Sequence, residues 1–315
     1  MSDDVGHVPV LLGEVLELLG PALRPGAVVV DGTAGRGGHA AALAERVGPG
    51  GTVVAVDLDP GNAAYAEARL AEVGQRCGVR VVVAHASFAE LNDVCAEAGL
   101  DGADGFADAV LADLGFASNQ MDDPVRGLSF SAEGPLDMRL DPTADRGVSP
   151  TAADLVNELP QNELADLIYE LGEERMSRRI ARKIVEERAA GPIETTAQLA
   201  RVVRRAVGPR GGSRMDPATR TFMALRIAVN DELTALDRLL GQTLGLLRPG
   251  GRMGVISFHS LEDRRVKHAW RERVDRGELA AVTRKPVTPG LAECDANPRA
   301  RSAKLRVVER IGHEA

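Results

Sequence analysis

Residues 28–40 read VVVDGTAGRGGHA. An apolar run ends on Asp31, and Gly35, Gly37 and Gly38 follow, leading into a helical pattern. Glycines in that place allow tight turning and let a ligand press on the backbone. Asp57 closes the next apolar run, TVVAVD, about 20 residues beyond the last glycine, where an acid accepts hydrogen bonds from a ribose diol. Together these residues describe an adenosine site. The pattern alone does not separate a nicotinamide dinucleotide from S-adenosyl-L-methionine, because Gly35-x-Gly37-x-x-Ala40 also fits the relaxed dinucleotide fingerprint.

Three features favour the methyl donor. Asp31 stands where the cationic amino-acid end of that ligand would lie and where a pyrophosphate would be repelled. Leu247-Arg248-Pro249-Gly250-Gly251, ahead of a late strand, resembles the turn of such methyltransferases, and so does the run 47–60, VGPGGTVVAVDLDP. Phe88 follows the third strand, where a ring packs into the core or lies against adenine. Phe258-His259-Ser260-Leu261-Glu262-Asp263 gathers a histidine and two acids, but no second histidine is in register. A metal is therefore not expected, and His259 is given a structural or substrate-loop role.

These residues need a scaffold. Apolar runs at 27–30, 52–56, 79–83 and 108–111 alternate with helical patterns at 39–47, 60–73 and 88–98. Short buried strands alternating with helices predict parallel βαβ units in a doubly wound sheet. The run 120–151 is rich in Pro, Gly, Asp and Ser and reads as loop. Residues 151–207 are helical in pattern throughout, 208–216 form a breaker-rich linker, and a helix from Pro217 leads to a strand at 252–258. The expected fold is α/β, a Rossmann-like methyltransferase sheet with an inserted all-helical domain. The expected domains are 1–139 and 216–315 for the sheet and 140–215 for the insertion.

The 315 residues suffice for two cores, and hydrophobic residues make up 44%, an ordinary globular value. No run of about 20 apolar residues is present. Asp3 and Asp4 stand where an export signal would be basic, so a cytoplasmic protein is expected. Cys77, Cys95 and Cys294 form no C-x-x-C pair, which argues against zinc and disulfide frameworks. The net charge of −8 conceals an asymmetry: residues 1–174 carry 30 acids and 9 bases, and residues 175–315 carry 16 acids and 29 bases. Binding responds to local field, so the basic second part is the place to look for a polyanion.

The runs DGTAGRGGH, AVDLDP, RGLSF, GPLDMRLDP, GEERMSRRIARKIV, PATRTFMALRIAVNDEL, RPGGRMGVISFHSLEDRRVK and NPRARSAKLRVVER resemble the RsmH (MraW) family over nearly the whole chain. That resemblance implies methylation of the N4 amino group of a cytosine in the decoding region of small-subunit ribosomal RNA, with S-adenosyl-L-methionine as donor. It implies donor contacts at Gly37, Gly38, His39, Asp57, Phe88, Asp113 and Gln120. One run departs from the family: where DLGVSSPQ is usual, this chain has Asp113-Leu114-Gly115-Phe116-Ala117-Ser118-Asn119-Gln120. Asp113 and Gln120 are kept, while Phe116, Ala117 and Asn119 differ.

An exocyclic amine on cytosine is a poor nucleophile, since its lone pair is delocalised into the ring. Asp113, ending the fourth strand, is the expected amine-positioning residue, and Phe116 either stacks on the base or packs in the core. Aromatic residues make up 3% of the chain, so recognition by shape and phosphate contacts is expected rather than extended stacking. Arg175, Arg178, Arg179, Arg182 and Lys183 on one helical stretch, and Arg201, Arg204, Arg205, Arg210 and Arg214 on the next, are the expected RNA contacts. Two competing readings are an oxidoreductase linked to NAD and a ribosome-assembly factor that binds the donor without turnover.

Overall fold

The first apolar runs carry β-branched residues at nearly every position, the composition of strands covered on both faces. In the computed structural model, which describes residues 9–145, 147, 149–208 and 216–312, they are strands. The chain begins with α1 (Leu12–Leu19), then β1 (Val28–Asp31), α2 (Gly38–Val47), β2 (Thr52–Asp57), α3 (Pro60–Cys77), β3 (Arg80–His85), α4 (Leu91–Glu97) and β4 (Ala107–Asp113). Six helices follow: α5 (Ser118–Asp122), α6 (Ala152–Glu158), α7 (Gln161–Gly172), α8 (Ser177–Arg188), α9 (Thr196–Val207) and α10 (Thr219–Val229). The chain returns through α11 (Glu232–Leu246) to β5 (Leu247–Ser257), α12 (Ser260–Asp275), β6 (Leu279–Ala281), α13 (Leu291–Ala296) and β7 (Lys304–Arg310).

The strands form one sheet in the order β3-β2-β1-β4-β5-β7-β6. β1 to β5 are parallel, β7 runs antiparallel to β5, and β6 antiparallel to β7. Alternate side chains of each strand enter different cores, as the pleat requires. Val29 and Val53 pack with Leu19, Leu43 and Leu70 of α1, α2 and α3. Val30 and Val54 pack with Leu91 of α4, Leu239 of α11 and Trp270 of α12. The doubly wound α/β sheet is thus as the sequence predicts. Its antiparallel edge was not foreseen, although the alternation of charged with apolar residues in KLRVVER is the pattern of a half-buried strand.

The chain divides into two compact units, Met1–Gly115 with Thr234–Ala315, and Phe116–Leu233. The second is wider than the 140–215 expected from helical pattern alone. Its loop residues Leu136, Met138 and Leu140 are buried, and backbone bonds fasten them inside the unit: Leu136 N–H donates to Glu194 O at 2.8 Å and Ala152 N–H to Asp137 O at 2.8 Å. Asn230, at the end of α10, accepts from Leu140 N at 2.7 Å and donates to Met138 O at 2.9 Å. A stretch without periodicity therefore belongs to the helical unit through its hydrogen bonds. Within that unit Thr151 and Thr195 close capping boxes on α6 and α9.

Candidate functional site

In an open α/β sheet, ligands gather outside the carboxyl ends of the strands where the strand order reverses. Here β1 lies between β2 and β4, so that point is the end of β1. Three aspartates close these strands: Asp31, Asp57 and Asp113. The loop after β1 is strapped to both neighbours. Asp113 N–H donates to Thr33 Oγ1 at 2.6 Å, and Gly35 N–H donates to Asp57 Oδ2 at 2.7 Å. Gly37 has φ +74°, in the left-handed region that favours glycine. A Cβ on Gly38 would come within 2.5 Å of the Pro9 ring. Gly35 instead faces open space, with no atom of the described residues within 4 Å of where its Cβ would be. The loop is closed on its protein side and open on the other.

Asp57 is occupied by backbone on both oxygens, since Oδ1 accepts from Asp59 N at 2.8 Å. It holds the glycine loop and the start of α3 at once, and burial raises its pKa. Asp31 is fully buried; Oδ1 accepts from Thr33 N at 3.1 Å, while Oδ2 has no partner. Burial, with the nearby charge of Asp57, pushes its carboxyl up to about 7. Asp113 Oδ1 is likewise buried without a partner. Burial first, then the charges of Asp31 and Glu262, hold Asp113 well above the ordinary carboxylate range. Two acids with unmet oxygens at one strand junction form a site that a cationic ligand would complete.

His39, near the start of α2, is buried behind Asp113. Its Nε2 lies 3.0 Å from Val10 O, an acceptor only, so Nε2 carries the hydrogen. In a neutral ring Nδ1 then presents its lone pair to Asp113 Oδ2, 3.7 Å away. Phe88 is half-buried and packs against the core under α4; its Cβ would lie 3.2 Å from a Cβ placed on Gly32. Gln120 and Phe116 belong to the second unit. There Gln120 is buried and its Oε1 accepts from Ala117 N at 2.7 Å, capping α5. One face of the Phe116 ring carries the Arg226 guanidinium, 4.8 Å from its centroid.

Sequence reasoning missed two residues. Thr33 ties β1 to β4, and its only signal was a small hydroxyl residue two positions after a strand-ending aspartate. Glu262 is buried, and its Oε2 accepts from Phe258 N at 2.7 Å and His259 N at 3.2 Å. His259 Nδ1 in turn accepts from Glu262 N at 3.4 Å. The histidine emphasised by the sequence is thus a helix cap for α12, and the His-x-x-Glu spacing is that of a capping box.

The basic helices of the second unit are mostly paired. Arg178 meets Asp166 at 3.5 Å, Arg182 meets Glu186 at 3.6 Å, and Lys183 pairs with the same Glu186. Arg204 meets Asp216 at 2.8 Å and Arg205 meets Glu187 at 2.8 Å. Among the described residues Arg175, Arg179 and Arg201 are exposed and carry no ion pair. Arg210 and Arg214 lie outside the described residues. No described helix is long and apolar enough to cross a membrane.

A model of the MraW methylase family matches residues 4–311. Ribosomal RNA small subunit methyltransferase H of Acidobacterium capsulatum is 49% identical over 308 residues, covering 96% of this chain and 98% of that protein. The proteins of the same name from Geobacter sulfurreducens and Sorangium cellulosum are 49% and 50% identical, each over 97% of this chain and over 99% and 91% of their own lengths.

Proposed function

The chain belongs to the MraW methylase family, and from that premise we propose that it transfers a methyl group from S-adenosyl-L-methionine to the N4 amino group of a cytosine in the decoding region of small-subunit ribosomal RNA, in the cytoplasm. The observation that carries the reading is at two strand-end carboxylates, the buried Asp31 and the half-buried Asp113, each of which keeps one buried oxygen without a hydrogen-bond partner among the described residues. A ligand with an ammonium and a sulfonium satisfies both acids. A dinucleotide would bring phosphates to the same acids, which disfavours the NAD-linked alternative.

In this reading Asp31 receives the amino-acid end of the donor, Asp57 the ribose hydroxyls, and the open side of Gly35 the rest of its backbone. Gly37, Gly38 and His39 complete the donor contacts of this unit that the family resemblance implies, and Phe88 lies against the adenine. The bound donor supplies a sulfonium methyl with an excellent leaving group, so positioning carries much of the rate. Asp113 Oδ1 accepts a hydrogen bond from the target amine and directs its nitrogen, with the Leu114 carbonyl as second acceptor. As the carbon–nitrogen bond forms, the nitrogen must lose a proton. Asp113, ionised beside the cationic donor, takes it. The target base leaves its stack to reach the strand ends. Phosphate contacts come from Arg175, Arg179 and Arg201, joined by their ion-paired neighbours on α8 and α9, whose exposed pairs hold each other by only about 0.2–1 kcal/mol.

The test is incubation of the pure protein with labelled donor and unmodified small ribosomal subunits, followed by nucleoside analysis. The expected product is N4-methylcytidine. Methyl on carbon 5 would overturn the mechanism, since that route needs a thiolate to attack the ring and the run 113–120 has no cysteine. Subunit binding without turnover would favour the assembly-factor reading instead.

A further inference from the structure

The first unit also carries cations, at the same edge of the sheet as the strand-end acids. Residues 282–306 contain six bases, at Arg284, Lys285, Arg299, Arg301, Lys304 and Arg306, and only two acids, Glu293 and Asp295. Lys304 and Arg306 are spent on Asp263, at 3.3 and 2.7 Å. Glu293 is spent on the Leu11 N–H, at 2.7 Å. Arg284, Lys285 and Arg301 are exposed, and none has an ion pair among the described residues.

The sheet fixes where these cations stand. Asp113 is in register with Ile256, Ile256 with Leu305, and Leu305 with Val287. Three strand spacings therefore put Val287 about 14 Å from Asp113 along the edge. Arg284 and Lys285 lie three and two residues before Val287, in the stretch between the Thr283 N–H bond to Val307 O and the Val287 N–H bond to Leu305 O. Arg301 lies four residues before Leu305, within about 14 Å of chain reach. A base turned out of its stack would fill the centre with its reacting edge and leave its sugar and phosphates behind it, at this sort of distance. Exposed cations without acid partners break no ion pair on turning to phosphate, and each phosphate they neutralise releases counterions.

We propose that Arg284, Lys285 and Arg301 form a second RNA-binding edge on the first unit, holding the phosphates that flank the target nucleotide. This rests on reading the strand ends as the RNA methyl-transfer centre. It differs from the sequence expectation, which put the whole grip on the helical insertion.

The test replaces all three by Gln in the full chain. Binding to small ribosomal subunits and to a protein-free transcript of the decoding region is measured over a range of salt, and a second variant with Arg175, Arg179 and Arg201 replaced by Gln is run beside it. The first variant should lose about tenfold or more in affinity for both RNAs, and its salt slope should flatten by about 2 for three lost contacts. Its affinity for S-adenosyl-L-methionine, read by calorimetry, should equal that of the parent and certify its fold. An unchanged slope on the transcript overturns the proposal, whether or not subunit binding falls, because a loss confined to subunits would mean a ribosomal protein as partner. Nucleoside analysis of the parent scores the methyl-transfer reading separately, since the slopes report the surface whether or not methyl is transferred.

Discussion

The two ends of the first unit's sheet treat buried acids in opposite ways. At the amino end, Asp108 accepts from Val28 N at 2.7 Å, meets Arg24 at 3.2 Å, and pairs with Arg248 as well. At the carboxyl end, Asp31 is buried near the charge of Asp57, Asp113 is half-buried near those of Asp31 and Glu262, and each keeps a buried oxygen without a partner among the described residues. Burying a charge is costly unless it is paired. The amino end meets that condition from its own chain and is structural. The carboxyl end leaves it unmet, which is what a site looks like when its cation arrives with the ligand.

Substitutions at the two ends should therefore fail differently. The largest effect is expected at Asp113. Asp113→Ala should slow methyl transfer by about a hundredfold to a thousandfold in single-turnover assays, the scale of removing one preorganised group from a reacting centre, while RNA affinity changes little. Asp113→Asn separates position from charge. Partial activity would assign the carboxylate a positional role, whereas loss as deep as in Asp113→Ala would assign it the charge. Parent-like rates in Asp113→Ala would remove it from the mechanism. Next is Asp57→Ala, expected to weaken donor binding by about 1.5–3 kcal/mol, the range for hydrogen bonds to a charged group. Because Asp57 also anchors Gly35 and Asp59, the donor-free variant should lose stability too, read by urea unfolding. Unchanged calorimetric affinity would take it out of the site.

The matching change at the amino end is Asp108→Ala. It strands the Val28 N–H and removes the partner of two arginines, so a loss of about 1–3 kcal/mol in unfolding free energy is expected, with donor affinity unchanged in the folded protein. Weakened donor binding there would erase the distinction between the ends.

Much of the carboxyl end was legible in the sequence. A glycine loop between two strand-ending acids has few physical uses, and Asp31, Asp57 and Asp113 stand where the alternation of strands and helices put them. What escaped were partners rather than positions. Thr33 acts through a cross-strand hydrogen bond that no period encodes, and His259 with Glu262 looked chemical because a capping pair and a catalytic pair can share residue types. The second unit was harder. Its arginines were visible, but some of the acids that pair them come from neighbouring helices, as Asp166 does for Arg178 and Glu187 for Arg205, and Glu186, one turn along α8 from Arg182 and Lys183, was passed over. Its boundaries were blurred because the stretch 123–145 is held by side-chain and backbone bonds instead of an apolar stripe.

The smallest effect, and the one that bears most directly on the contrast between the ends, is the pH dependence of donor binding. The Asp31 carboxyl stands at about 7 in the fold, against about 3.9 in an unfolded chain. The folded state therefore binds this proton more tightly than the unfolded state does. Its contribution favours folding below about pH 4 and is lost as pH rises to about 7, so the free protein should lose stability across that window. A cationic ligand favours the ionised acid and lowers its pKa, so binding near pH 6 should expel a proton. Affinity should then rise by up to tenfold per pH unit below about 7 and level off above it. Asp113 is shifted in the same direction, and the groups facing the two acids are Asp57, His39 and Glu262. Calorimetry in two buffers of different ionisation enthalpy counts the protons released. Asp31→Asn should lower that count, whereas Asp108→Ala should leave it alone because Asp108 is already paired. An affinity that stays flat from pH 5.5 to 8 would mean that the carboxyl end is ionised before the ligand comes, and the two ends would differ only in geometry.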